Sequence, residues 1–149
     1  MKKLLIANLC VAGLLSSAAW AGDTATVTVS ATVVGTCQFN SNGTVGFTLD
    51  PSVGGNVTGT VSNPEFWCTK NASWTITDDL GLNEAGTQRN MKNAGTDLIP
   101  YSFGYTSTGT GEGKSTPITM NIAASVAEAD YIDKPAGSYS DTVTLTIAP

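Results

Sequence analysis

The chain contains no histidine, and charged residues make up only 13% of its 149 residues. Histidine is the usual general base near neutral pH and a common metal ligand, so its absence removes the most frequent side chain of acid–base catalysis and metal coordination. The sequence therefore predicts a protein that is not an enzyme, with no catalytic residues, no metal site and no cofactor.

Basic residues are scarce as well, since seven Lys and Arg stand against twelve Asp and Glu. Two of them lie at the extreme N-terminus, and the others are scattered at Lys70, Arg89, Lys92, Lys114 and Lys134. Nucleic-acid binding needs basic side chains clustered on one surface. The distribution of charge argues against nucleic acid as a partner.

Long apolar runs are absent after the N-terminus. The run at residues 4–15 follows two lysines and precedes Ala19-Trp20-Ala21, a small-x-small cleavage pattern. It is shorter than the roughly 20 residues that a membrane-spanning helix needs. We interpret residues 1–21 as a signal peptide, which predicts export and a mature chain that begins at Gly22.

The sequence has three cysteines, of which Cys10 would leave with the signal peptide. The two that remain, Cys37 and Cys68, are an even number in an exported protein, which is typical of a disulfide. A metal site would need further Cys or His ligands. We expect Cys37 and Cys68 to form a disulfide bond.

Residues 24–34 alternate small apolar side chains with hydroxyl side chains. The alternation predicts a long β-strand with one apolar face, because successive side chains of a strand point to opposite sides. The members of that face are Ala25, Val27, Val29, Ala31 and Val33. A strand at the start of a domain can pair within its own sheet or be lent to another subunit, and the residues alone leave both arrangements open.

Short apolar alternations separated by Gly, Asn, Pro and Asp fill the rest of the chain, so we expect an all-β fold of the immunoglobulin-like β-sandwich type. The predicted strands are residues 44–49, 56–62, 65–70, 73–77, 98–105, 118–123 and 139–147. Residues 78–96 are predicted to form a long polar loop, and residues 126–130 a short helical or irregular patch. Phe66, Trp67 and Trp74 are expected to fill the core.

Two local patterns resemble a ligand-binding or catalytic site, and each has a simpler structural interpretation. Gly109, Gly111 and Gly113 lack the spacing and the following helix of a phosphate-binding loop, so we expect a flexible hairpin tip. The adjacent carboxylates of Asp78 and Asp79 are too few for calcium and are expected to form a solvated turn rather than a glycosidase pair.

Three segments of the second half form a recognisable set: Arg89-Asn90-Met91, residues 98–105, and residues 135–147 with the pattern Ala-Gly-x-Tyr-x-Asp-Thr-Val-x-Leu-Thr at 136–146. In the first half, an alternating strand leads to Cys37, and Cys68 precedes a strand that contains Trp74. Over nearly the whole mature chain this resembles the spore coat protein U domain family, which includes pilins of archaic chaperone-usher pili.

The resemblance implies a sandwich that lacks its final strand and is completed by a donor strand from another subunit. Residues 22–33 would be the donor strand and residues 34–149 the pilin domain. The donor residues would be Ala25, Val27, Val29, Ala31 and Val33, and the edge of the acceptor groove would be Tyr139, Val143, Leu145 and Ile147.

The implied function is that of a structural subunit of a bacterial surface pilus, exported through the periplasm and located on the cell surface. The implied partners are identical or related pilin subunits in a head-to-tail polymer, a periplasmic chaperone and an outer-membrane usher. Two other classes remain open at this point: a secreted monomeric adhesin or carbohydrate-binding module, and a structural protein of a cell or spore coat.

Overall fold

A computed structural model describes residues 22–149, and the predicted signal peptide, residues 1–21, lies outside the described residues. The chain divides into two units, Met1–Thr32 and Val33–Pro149. None of the described helices is long and apolar enough to cross a membrane.

Among the described residues there are twelve short strands and one helical turn, all within the second unit. In chain order they are β1 Cys37–Phe39, β2 Thr44–Gly46, β3 Val57–Thr58, β4 Thr60–Ser62, β5 Glu65–Cys68, β6 Ser73–Asp78, β7 Arg89–Lys92, β8 Leu98–Tyr105, β9 Thr108–Thr110, β10 Ile118–Thr119, β11 Ile122–Val126, α1 Glu128–Tyr131 and β12 Leu145–Ala148. The prediction of an all-β chain is confirmed, as is the short helical patch.

The strands pair in antiparallel fashion into four sheets, in the orders β1-β5-β10, β3-β11-β8-β7, β12-β6-β9 and β2-β4. Alternate side chains of these strands meet between the sheets in two clusters. One is built around Phe66, Cys68, Trp74 and Ile76, and the other around Ile99, Tyr101, Val126 and Tyr131. The sheets therefore enclose a sandwich core in two parts, and Phe103 packs against both.

Phe66 and Trp74 are buried as predicted, with ring centroids 4.9 Å apart in an edge-to-face contact. The prediction for Trp67 is wrong, because neighbouring residues of β5 face opposite sides. Phe66 and Cys68 point into the core, and Trp67 is half-exposed beneath the amine of Lys114, 5.3 Å from the ring centroid.

The Cys37–Cys68 disulfide is present, with an S–S distance of 2.03 Å. The two cysteines lie directly opposite each other, because β1 pairs with β5 in the register Cys37↔Cys68 and Phe39↔Phe66. Cys68 is completely buried. The bond therefore joins the first strand of the sandwich to a strand in its interior.

Residues 24–34 do not form the strand that their alternation predicts, and the first strand begins only at Cys37. Val27, Val29 and Val33 are 82%, 89% and 82% exposed. A strand exists as regular structure only when its backbone groups pair with a neighbour, and no residue of 22–36 is part of a ladder among the described residues. The alternation supplies a strand-forming surface without a partner.

The predicted loop at 78–96 is wrong in its second half, because Arg89–Lys92 forms β7 and pairs with β8. Only Met91 in this strand is apolar, so the sequence gives almost no hydrophobic alternation to detect. The buried polar residue Asn90 is 3% exposed and donates to the carbonyls of Asn83 and Gln88. Polar contacts replace apolar ones in this strand.

The hairpin-tip interpretation of Gly109 and Gly111 is also wrong, because Gly109 lies in β9, opposite Trp74 of β6. A Cβ at Gly109 would overlap the Trp74 ring, at 2.8 Å from its Cε2 atom. Gly111 is buried, and a Cβ there would lie 2.8 Å from that of Cys68. These glycines allow close packing on the core.

Candidate interaction groove

An open groove of about 700 Å³ crosses the sandwich between residues 41–47 and residues 139–145. Its lining is largely apolar and aromatic, and the floor lies where the two core clusters meet. The floor residues are Phe39, Met91, Tyr101, Phe103 and Ile122. We call this depression the groove and its two sides the first wall, residues 41–47, and the second wall, residues 139–145.

The first wall follows β1, where the chain leaves β5 and continues as β2 beside β4. Gly43 makes the crossing possible. A Cβ at this position would lie 2.6 Å from Cδ of Pro64 and 2.8 Å from the carbonyl oxygen of Ser62. The close approach fixes where Val45 and Phe47 stand at the side of the groove.

The second wall leads into β12, which pairs with β6 in the register Leu145↔Asp78 and Ile147↔Ile76. From 139 to 147 the odd positions other than Asp141 are apolar and half-buried, and the even positions carry exposed hydroxyl side chains. This is the period of a strand with one face on the core. Regular pairing nevertheless begins only at Leu145, so the predicted strand 139–147 is shorter than expected.

The backbone of the second wall has a free edge on the groove side. The Thr144 carbonyl accepts a hydrogen bond from the Asp79 N–H at 3.2 Å, so at this position the paired edge faces the loop after β6. Backbone groups of a strand alternate between its two edges. The N–H and C=O of Val143 accordingly point the other way, and they have no hydrogen-bond partner within residues 22–149.

Three of the four residues predicted for the acceptor edge, Tyr139, Val143 and Leu145, line the groove. The fourth, Ile147, packs against the first core cluster and is not part of the lining. Their role as an edge that accepts a strand stays a prediction, as does the role of Ala25, Val27, Val29, Ala31 and Val33 as donors.

The sequence reasoning missed the floor of the groove. Tyr101 and Phe103 come from the alternation of β8, which was detectable, but nothing in the sequence tells which of its apolar side chains faces a gap rather than a closed core. Met91 comes from β7, the strand that was predicted as a loop.

A polar network lies beside the floor, and it corrects the interpretation of Asp78 as part of a solvated turn. Arg89 forms an ion pair of 2.5 Å with Asp78, whose other carboxylate oxygen accepts from the Tyr105 hydroxyl at 2.7 Å. Burial pushes the pKa of Asp78 upward, but the hydrogen bonds from Tyr105, Arg89 and the Leu80 N–H outweigh it, and the pKa lies below its usual value.

The tyrosines of this network respond in the opposite direction. Burial, followed by the hydrogen bond to the Asp78 carboxylate, raises the pKa of Tyr105 to about 12. Burial, with the hydrogen bond to Asp141 as the second cause, also raises the pKa of Tyr101. Both hydroxyls therefore stay protonated and act as donors in the folded protein.

Comparison with known protein families agrees with the resemblance seen in the motifs. The sequence profile of the Spore Coat Protein U domain family matches residues 23–146. No curated protein sequence matches the chain.

Among solved structures, the chain is similar to one in the CsuC–CsuE chaperone–tip adhesion subunit pre-assembly complex from archaic chaperone-usher Csu pili of Acinetobacter baumannii. The identity is 23% and the TM-score 0.47, and the match covers 78% of this chain and 40% of that one. The profile match extends over nearly all of residues 22–33, the exposed leading segment, and over both walls of the groove and most of the sandwich. The chain belongs to the Spore Coat Protein U domain family.

Proposed function

We propose that this protein is a structural subunit of a bacterial surface pilus that polymerises by donor-strand exchange. The groove of one subunit would receive residues 22–33 of the next. The observation that carries the proposal is a pair of complementary features in one chain: a groove whose second wall has an unpaired backbone edge, and an exposed segment that alternates apolar and hydroxyl side chains.

The leading segment suits the groove in its hydrogen bonding. An unpaired strand edge is a template for another strand, and an extended segment laid along it would pair with the free backbone groups near Val143. The same pairing would bring Val27 and Val29 against the floor of the groove while Thr26 and Thr28, on the opposite face, stay in solvent. A shift of one residue would bury the threonines, so the register is strongly specified.

Apolar burial would contribute substantially to this contact. Val27, Val29 and Val33 are almost fully exposed, and the floor offers several aromatic rings. At about 25 cal/mol per Å², burial of several hundred Å² of apolar surface contributes on the order of 10 kcal/mol before the entropy of association is subtracted.

The geometry of the exchange favours an open filament. A donor at one end of the chain and an acceptor elsewhere on the sandwich make a heterologous contact, and such contacts propagate unless a rotation closes them into a ring. A subunit with a vacant groove would need protection before assembly, and a periplasmic chaperone and an outer-membrane usher are the partners we assign to it. On this proposal the protein is exported to the cell surface and is not an enzyme.

The experiment compares substitutions on the two faces of the leading segment. Val29→Asp would place a carboxylate on the aromatic floor, whereas Thr28→Asp would place the same charge on the solvent face. We expect the wild-type chain to give a ladder of multimers on a non-reducing gel after mild heating. We expect Val29→Asp to abolish this ladder and Thr28→Asp to retain it. The amount of exported protein should be similar for all three chains.

A wild-type chain that stays monomeric would contradict the proposal, and so would an undiminished ladder from Val29→Asp. Equal loss from Val29→Asp and Thr28→Asp would count against the alternating register, since it would show that charge alone, on either face, prevents assembly.

A further inference from the structure

The second wall poses a physical problem before a donor arrives. Its apolar side chains, such as Tyr139 and Val143, stand beside an open apolar floor, and hydrophobic contact favours collapse of the wall into the gap. Regular pairing with β6 begins only at Leu145. Residues 139–144 must therefore be held in place by contacts other than a ladder.

Polar ties on the side away from the groove supply that support. Ser140 and Lys92 exchange reciprocal backbone hydrogen bonds of 2.9 and 3.0 Å. At the other end, the Thr144 N–H donates to the Asp79 carboxylate at 2.9 Å while its carbonyl accepts from the Asp79 N–H. Between these two ties lies the Asp141 side chain.

Asp141 gathers donors from two different elements. Its Oδ2 accepts from the Tyr101 hydroxyl of β8 at 2.6 Å. Its Oδ1 accepts from the Leu82 N–H at 2.9 Å and from the Asn83 side-chain amide at 3.1 Å. One carboxylate thus ties the wall both to the floor and to the loop after β6.

The chain makes room for this carboxylate. Gly81 has a φ of 92°, and a Cβ at this position would overlap the Asp141 carboxylate. The loop is supported in turn by the buried Asn90, whose side-chain amide donates to the Asn83 carbonyl at 3.0 Å. The Arg-Asn-Met and Tyr-x-Asp motifs, distant in sequence, therefore meet behind the same wall of the groove.

We propose that Asp141 is a positioning residue for strand acceptance, which holds residues 139–144 in an extended conformation along the side of the groove while the groove is empty. This inference rests on the proposed function. A wall that is already extended loses little conformational entropy when the donor binds, so Asp141 acts mainly on the association step. Once a donor fills the groove, its own backbone hydrogen bonds hold the wall, and the contribution of Asp141 to dissociation is small.

The experiment follows uptake of a fluorescent peptide of residues 22–36 by the full-length mature chain, diluted so that exchange between subunits is slow. Fluorescence anisotropy gives the association rate constant, and a chase with unlabelled peptide gives the dissociation rate constant. For Asp141→Ala we expect association to slow about tenfold, as fits the loss of hydrogen bonds to a charged group. We expect dissociation to change by less than about twofold.

Asp141→Asn is the conservative variant. Its amide oxygen can accept from the Leu82 N–H while its NH₂ group donates to the Tyr101 hydroxyl, so most of the association rate should return. Asp133→Asn removes an exposed carboxylate after α1 and should match the wild-type rates. Tyr101→Phe removes one donor, is expected to give an intermediate rate, and carries the test if Asp141→Ala does not fold.

The outcomes distinguish a failure of the positioning role of Asp141 from a failure of the proposed function. A wild-type chain that takes up no peptide would overturn the proposed function and this inference together. Uptake by the wild type with an equal association rate in Asp141→Ala would overturn only the positioning role. A fall in thermal midpoint with slower association and faster dissociation, unrelieved by Asp141→Asn, would also overturn it, because general destabilisation predicts that result.

Discussion

At the scale of single residues, hydroxyl and carboxylate groups beside the groove depend on one another's protonation. Tyr105 donates to Asp78, which also pairs with Arg89, and Tyr101 donates to Asp141. Each tyrosine can donate only while it is protonated. The sandwich is therefore expected to lose stability at high pH, where the tyrosines ionise.

Tyr105 gives a measurable form of this coupling. Its pKa is about 12 in the folded chain against 10.0 for an ordinary tyrosine, so its contribution to the free energy of unfolding is complete below pH 10 and is lost between pH 10 and about 12. We expect the difference in unfolding free energy between wild type and Tyr105→Phe to shrink over this interval, measured by urea titration. A difference that is constant from pH 8 to pH 12 would contradict the coupling.

At the scale of secondary structure, the sequence was most informative where one face of a strand meets the core. The strand 98–105 was predicted with the bounds that the structure gives, because β8 alternates over eight residues and is buried on one side. By contrast, β7 was missed because its buried residues include an asparagine. The hydrogen-bond partner of this asparagine lies in a loop whose conformation cannot be predicted from the local sequence.

The groove was harder to predict than the strands. The odd-numbered apolar positions of 139–147 are visible in the sequence, but the break in pairing before Leu145 depends on contacts with residues near 79, 92 and 101. The leading segment shows the opposite limit. Its alternation describes a surface that fits a sheet, and no property of the segment itself says in which molecule that sheet lies.

The contact between β6 and β9 gives a prediction about packing. Because a Cβ at Gly109 would overlap the Trp74 ring, Gly109→Ala should lower the free energy of unfolding by about 1–3 kcal/mol, the usual cost of overpacking a core. Gly46→Ala in β2 is the matched control, since nothing lies within 4 Å of its added methyl group. Chemical denaturation of both variants would test this, and equal effects would show that β9 can move away from Trp74.

At the scale of the whole molecule, the disulfide closes a loop of 31 residues that contains the first wall of the groove, β3 and β4. In the chain-entropy account, such a cross-link contributes about 3–4 kcal/mol by restricting the unfolded chain. Cys37→Ser should therefore reduce the free energy of unfolding by about this amount, and reduction of the wild-type chain should have a similar effect. Reductant should leave the stability of Cys37→Ser unchanged, and a further loss would show that it acts elsewhere on the chain.

The position of that cross-link also bears on how a filament would carry load. Cys37 is the first residue of the first strand, directly after the exposed segment, and it is bonded to a completely buried cysteine in β5. In a filament assembled as proposed, tension on the leading segment would enter the sandwich at this covalent junction and pass to its interior, bypassing the stretch from 38 to 67. The groove of a subunit under tension would then keep its shape. Pulling on the donor segment of one subunit would therefore not weaken its hold on the donor segment that it has accepted from its neighbour.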